Sequence, residues 1–176
     1  MKKFELTSEF VTFLGKKLFR IKALVAFGGV KEGELGGFVE KEENLDQSGN
    51  AWVYGNARVS GNAWVSGDAW VSGDARVSGN AWVSGNARVS GNAWVSGDAR
   101  VQCCRDYSAA SCFGSENRTT TFFRTKDDGI GVRCGCFYGT LEEFREKVKE
   151  RHGDSRLAKE YLMLADAMEF RLSKDE

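Results

Sequence analysis

The chain has 176 residues and balances 25 Lys and Arg against 25 Asp and Glu, for a formal net charge of zero. That argues against generic nucleic-acid binding, which needs a cationic excess, and against acidic DNA mimicry, which needs an anionic one. No run reaches the ~20 apolar residues of a membrane span, and Met1–Gly15 carries Glu5 and Glu9 and does not read as a signal peptide. The expectation is a cytoplasmic protein with no membrane and no nucleic-acid partner, whose five cysteines are free thiols rather than a disulfide framework. There is no proline against 21 glycines, so turns are expected from Gly, Asn and Asp.

Residues 1–30 read as an N-terminal cap. Two apolar-rich runs flank Leu14-Gly15-Lys16-Lys17, the pattern of a β-hairpin. Gly28-Gly29 and Gly36-Gly37 follow, and Val39, Leu45 and Ala51 lie six apart, so an irregular first solenoid coil is expected there.

From Gly49 to Gln102 nine six-residue units run without interruption, from GNAWVY to GDARVQ. A glycine in every unit excludes a helix. The Ala-Xaa-Val triplet has strand periodicity, with Ala and Val on one face and Xaa on the other. Ser-Gly-Asn or Ser-Gly-Asp then turns the chain, because these residues tolerate left-handed backbone. A strand plus a corner per unit suits a triangular coil of three units, 18 residues per turn.

The spacing Val59-Ser-Gly-Asn-Ala63 and Val65-Ser-Gly-Asp-Ala69 resembles the hexapeptide signature of left-handed parallel β-helices. The fold class expected is mainly β: a left-handed parallel β-helix with a hairpin cap and a C-terminal two-helix hairpin. A right-handed solenoid like those of bactofilin-type polymer formers is the alternative, since left-handed coiling departs from the usual crossover rule.

With 18 residues per coil the outward positions form three columns: Trp52, Trp70 and Arg88; Arg58, Arg76 and Trp94; Trp64, Trp82 and Arg100. Each column sets a Trp beside an Arg, a favourable contact. The corner columns are Asn50-Asp68-Asn86, Asn56-Asp74-Asn92 and Asn62-Asn80-Asp98, none with adjacent aspartates. All nine outward residues are candidate partner or oligomer contacts, since Trp and Arg are enriched at binding hot spots. Cover by the chain's own ends or by a second copy is the other reading.

After Val101 the six-residue step persists at Tyr107, Phe113 and Thr119, so residues 31–120 are taken as solenoid, with one further imperfect coil. Residues 121–139 read as a β-hairpin. Its strands are Thr119 to Thr125 and Ile130 to Tyr138, joined at Lys126-Asp127-Asp128-Gly129. Residues 140–176 read as a helical hairpin. Thr140-Leu-Glu-Glu143 is a capping box, and Gly153 is a stop. Asp154 or Ser155 caps a second helix with Leu157, Tyr161, Leu164, Met168 and Leu172 at helical spacing. The Trp columns are the expected docking site for these helices.

Catalytic chemistry finds little support. His152, the one histidine, falls between the two helices, and no loop interrupts the nine units. Acyltransfer, common among left-handed β-helices, needs a base at the substrate. Cys103-Cys104, Cys112 and Cys134-x-Cys136 fit zinc spacing poorly, and Cys134 and Cys136 suit core packing. No catalytic residue, metal or cofactor is expected.

Arg20-Ile-Lys-Ala-Leu24, Leu35-Gly-Gly-Phe-Val-Glu40, the GNAWV/GNARV array, Thr119-Thr-Thr-Phe-Phe-Arg124 and Gly139-Thr-Leu-Glu-Glu-Phe144 resemble a largely uncharacterised family of small hexapeptide-repeat proteins of phages, prophages and gut bacteria. The resemblance departs at Cys103-Cys104 and Cys112–Asn117. It implies an accessory binding protein that meets a host protein, with inhibition of an antiviral-defence component by protein contact or by sequestering a small nucleotide as the leading expectation. A self-assembling solenoid, or another homo-oligomer, and a hexapeptide-repeat acyltransferase are the alternatives.

Overall fold

The inward Ala and Val of every unit, from Ala51 to Val101, are at most 1% exposed, and together they form one continuous core. This burial follows from the alternation within each Ala-Xaa-Val triplet, which sends one residue out between two that point in. The computed structural model describes residues 1–173. It gives nine two-residue strands at six-residue steps: β4 (Trp52–Val53), β5 (Arg58–Val59), β6 (Trp64–Val65), β7 (Trp70–Val71), β8 (Arg76–Val77), β9 (Trp82–Val83), β10 (Arg88–Val89), β11 (Trp94–Val95) and β12 (Arg100–Val101).

The register is parallel with an 18-residue step: Trp52 faces Trp70 and Trp70 faces Arg88, and the other two faces follow suit. Backbone amides tie each coil to the next, as in Trp64 N to Ala81 O at 2.9 Å. At the corners glycines stack on glycines. Gly79 has φ +69°, and a Cβ there would come within 2.8 Å of the Gly97 nitrogen, so the corner requires glycine both for its backbone angle and for its space.

The first coil keeps a different step. Strand β3 (Leu35–Val39) sets Phe38 on Arg58 and Val39 on Val59, and Leu45 bridges Val65, all twenty residues apart. Val39 and Leu45 therefore occupy the expected inward sites, but Ala51 already belongs to the next coil. The two additional residues widen the corner at 46–50, and the N-terminus enters there. Gln47 Oε1 accepts from the amides of Lys3 (2.8 Å) and Phe4 (3.3 Å), and Lys3 Nζ donates to Ser48 O and Ala51 O. Buried Asn44, in a short 3-10 turn (Glu42–Asn44), satisfies Gly61 O and Ala63 O.

Strands β1 (Phe4–Phe13) and β2 (Lys16–Ala23) form the hairpin, and β2 pairs antiparallel with β3. The second face thereby becomes a six-stranded mixed sheet, β1-β2-β3-β5-β8-β11.

The solenoid stops at Val101, which corrects the expected further coil. The segment after Val101 has no glycine corner. Asp106 Oδ2 instead accepts from the amides of Gln102 (2.8 Å) and Cys103 (2.9 Å), folding the chain back. Residues 107–120 thus leave the solenoid and join a four-stranded antiparallel sheet of β13 (Tyr107–Phe113), β14 (Arg118–Arg124), β15 (Ile130–Cys134) and β16 (Phe137–Thr140). The single strand expected from Ile130 to Tyr138 is split at Gly135, whose φ is +58°. Cys136 lies in that turn and is exposed, so it does not pack in a core beside Cys134 as the alternation had suggested.

Strand β14 closes the open end of the solenoid. Thr125 bridges Ala99, Thr121 Oγ1 accepts from Trp94 N at 3.0 Å, and Phe123 fills the end of the solenoid core. The neighbouring Phe122 points the other way, into a second core. Helices α1 (Leu141–His152) and α2 (Arg156–Leu172) pack there, with Leu141, Phe144, Val148, Tyr161 and Ala165 against Phe122 and Val132. The Thr140–Glu143 capping box forms, and Arg145 ties the helices together through Asp166 and Glu169, both at 2.7 Å. The helices therefore dock on the C-terminal sheet and not on the Trp columns. Their apolar stripes meet the alternate face of β14 and β15 before they reach the solenoid.

Candidate partner-binding face

The three outward columns are built from the same units and meet different fates. On the first face Trp52 is fully buried, edge-on to Phe4 (6.2 Å) and Phe27 (5.4 Å) from the N-terminal region. Trp70 is half-buried between Tyr54 (5.2 Å) and the guanidinium of Arg88 (4.6 Å). The Arg88 carbonyl accepts from the Tyr107 hydroxyl at 2.6 Å.

On the second face the hairpin end reaches over the column. Phe13 lies 5.2 Å from the Arg58 guanidinium, 5.1 Å from that of Arg76 and 6.1 Å from the Trp94 ring. Strand β15 adds Arg133, 3.8 Å from the Trp94 ring, while Arg76 lies 5.2 Å from it. Trp94 Nε1 donates to Ser78 Oγ at 3.0 Å. The chain's own ends thus cover Trp52 of the first column and reach over all of the second, through residues that the columns themselves do not reveal, while Arg88 of the first column stays exposed. The one hint in the sequence is length: a ten-residue strand spans about 33 Å, enough to cross a face, and β1 has ten residues.

The third face stays open. Trp64 and Trp82 meet edge-to-face at 5.5 Å, and Arg100 lies 4.4 Å from the Trp82 ring. Trp82 is 45% exposed. Arg100 Nη1 donates to Ala99 O (2.8 Å) and Asn80 O (3.0 Å), which fixes the guanidinium across two coils. Among the described residues no ring or guanidinium from either terminal region packs on this column.

A polar ladder borders the face. Asn62 Nδ2 donates to Asn80 Oδ1 and Asn80 Nδ2 to Asp98 Oδ1, both at 3.2 Å, with Lys41 at one end and Lys126 at the other. Hydrogen bonds from Lys126 and then Asn80 hold the Asp98 carboxyl below its usual range. Each amide in the column donates to the amide or carboxylate oxygen of the next coil, which ties successive coils together here. Tyr138, 46% exposed, rests at the same corner over Gly97, where any Cβ would collide with its hydroxyl.

The other singled-out residues lie elsewhere. His152 ends α1 and stacks on Tyr161 at 5.7 Å, away from all three faces. Cys103, Cys104, Cys112 and Cys136 are exposed and Cys134 is half-buried. No group of three or more metal-ligating side chains gathers among the described residues, and none of the described helices is long and apolar enough to cross a membrane.

Among curated proteins, none matches the chain. The family model of the YdcK β-solenoid repeat matches residues 51–67, 69–85 and 81–97. The match falls within the nine-unit array and leaves both ends outside it. The array is therefore similar to the β-solenoid repeats of that family, and the hairpin, the antiparallel sheet and the helices lie outside the matched residues.

Proposed function

We propose that this protein is a non-catalytic binding protein that uses the Trp64–Trp82–Arg100 face to hold a host protein in the bacterial cytoplasm. The observation that carries this reading is selective cover: the non-repeating segments pack on Trp52 of the first column and across the whole second column, and among the described residues none of their rings or guanidiniums packs on the third, where Trp82 is exposed. An anchored Arg beside one exposed indole, Trp82, and one half-buried indole, Trp64, has the composition of a binding hot spot. The fitting partner presents an apolar ridge for the indoles, with a carboxylate placed for the remaining donors of Arg100. Together with the resemblance to phage proteins, this makes a component of antiviral defence the expected target and inhibition by contact the expected action.

Self-assembly by stacking coils is disfavoured, because Phe123 and the N-terminal segment already occupy the two ends. Acyltransfer would need a base at the solenoid, and His152 lies in the helical unit.

The test is expression in cells carrying defined defence systems. Restored phage plating by the wild type, lost in the Trp64→Ala/Trp82→Ala variant, is the expected result. No change in any defence activity, with no host protein retained in a pull-down, would remove the reading. Dimerisation that the same variant abolishes would assign the face to a second copy instead.

A further inference from the structure

Three guanidinium groups converge where the second face meets the C-terminal sheet: Arg76 from β8, Arg118 from the start of β14 and Arg133 from β15. With Asn92, Asn117 and Thr119 they line a cleft of about 450 Å³. Arg58 adds a fourth positive charge in the neighbouring coil, in direct register with Arg76. Like charges at strand spacing repel, and the chain as a whole carries no net charge, so this concentration does not follow from composition.

Carboxylates do not neutralise it. Among the described residues Arg58, Arg76 and Arg133 form no ion pair, and Arg118 has only exposed Glu116, at 3.7 Å. Asp74 lines the cleft without reaching ion-pair distance of any guanidinium. The Nε atoms of Arg133 and Arg58 are buried without a hydrogen-bond partner. Burial lowers the pKa of Arg133; Cys136 and Tyr138 act against that, and Arg76 adds to it.

The guanidiniums are also held in place. Trp94 has Arg133 at 3.8 Å and Arg76 at 5.2 Å. Arg118 passes over Gly135, where a Cβ would come within 2.8 Å of its Nη1. Charged donors with few carboxylate partners, two of them held against Trp94, match the oxygens of a phosphoryl group, which guanidinium forks bind in bidentate fashion.

We propose that this cleft binds a phosphate-bearing small molecule. Arg118 and Gly135 also border a second cavity, of about 330 Å³, whose lining includes Phe137, Phe144 and Tyr161. A phosphate ester with a planar body has an aromatic surface there to rest on. The inference is independent of the protein-contact reading, because the cleft and the Trp64–Trp82–Arg100 column lie on different faces.

Calorimetry with pyrophosphate tests it. The wild type is expected to bind one equivalent and to gain thermal stability. Arg118→Ala, at an exposed side chain, is expected to bind about tenfold more weakly, with Arg118→Lys in between. Arg100→Ala, on the open face, is expected to bind as the wild type does, which separates a specific cleft from general attraction to cations. Adenosine monophosphate and orthophosphate then distinguish the ligand class. Tighter binding of the nucleotide, lost in Phe137→Ala, assigns a nucleotide with its base on the aromatic surface. Equal binding assigns the phosphoryl group alone. Absence of pyrophosphate binding, or equal binding by wild type and Arg118→Ala, would overturn the proposal.

Discussion

The second and third faces of the solenoid are made from the same six-residue units, yet one is roofed and the other bare. On the second face, Phe13 from the hairpin and Arg133 from the C-terminal sheet lie over Arg58, Arg76 and Trp94. On the third, Trp64 packs on Trp82 and Arg100 on the Trp82 ring, and among the described residues no ring or guanidinium from the terminal regions joins them. A repeat therefore supplies equivalent surfaces, and the non-repeating ends decide which one is left available. The work of recognition is divided accordingly: the array builds the column, and the hairpin and sheet select it.

The largest loss is expected from removing the residue that joins the array to the C-terminal sheet. Phe123→Ala opens a cavity where β14 plugs the solenoid and is expected to cost about 3–5 kcal/mol, read as a lower urea midpoint. Phe122→Ala, one residue earlier, empties the helical core instead. It is expected to cost a similar amount while leaving the Trp94 environment closer to native by indole fluorescence.

The corners come next. Gly79→Ala forces a Cβ to within 2.8 Å of Gly97 at positive φ and is expected to cost roughly 2–3 kcal/mol. Gly91→Ala, also at positive φ but with open space around it, should cost only the backbone term, about 1–2 kcal/mol. Equal losses at the two sites would show that stacking of the corners contributes nothing.

The roofed and bare faces themselves give smaller effects. Phe13→Ala strips the roof and is expected to cost about 1–2 kcal/mol through lost cation–π contact and exposed apolar surface. Trp82→Ala, at a half-exposed site, is expected to cost less than about 1 kcal/mol while abolishing partner binding. A large stability loss at Trp82 would make the third face structural.

These sites also show what was legible in the sequence. The coil length, the inward Ala and Val, the Trp–Arg columns, the capping box and the helical stripes all follow from local periodicity, and the structure contains each of them. The position of the covers does not follow. Phe13 and Trp94 are far apart in sequence, and nothing in either segment encodes their meeting. Continuing the six-residue step through Tyr107 and Phe113 misled for a related reason. The step survived in the aromatic positions, but the glycine corner had been replaced by the Asp106 turn, and strand pairing follows the corner. Phe122 and Phe123 read together as one apolar strand, and only the packing shows that they serve separate cores.

A pH-dependent effect probes the widened first corner. Burial lowers the Lys3 pKa from 10.5 to about 8, with the charge of Asp46 opposing the shift. Between those values the unfolded chain binds the additional proton, so stability rises with pH across this window. The Lys3→Met variant is expected to lose that rise relative to wild type, measured by urea unfolding at pH 7.5 and pH 10. An unchanged slope would place the Lys3 ammonium in water and loosen the N-terminal cap from the coil.

Selective exposure is tested most directly by hydroxyl-radical footprinting of the five tryptophans, free and in host lysate. Trp82 is expected to be the most reactive in the free protein and Trp52 the least, with Trp94 less reactive than Trp82 until Phe13→Ala uncovers it. Adding lysate should protect Trp64 and Trp82 and leave Trp52 and Trp94 unchanged. Strong labelling of Trp94 in the wild type, or protection confined to the first two faces, would contradict it.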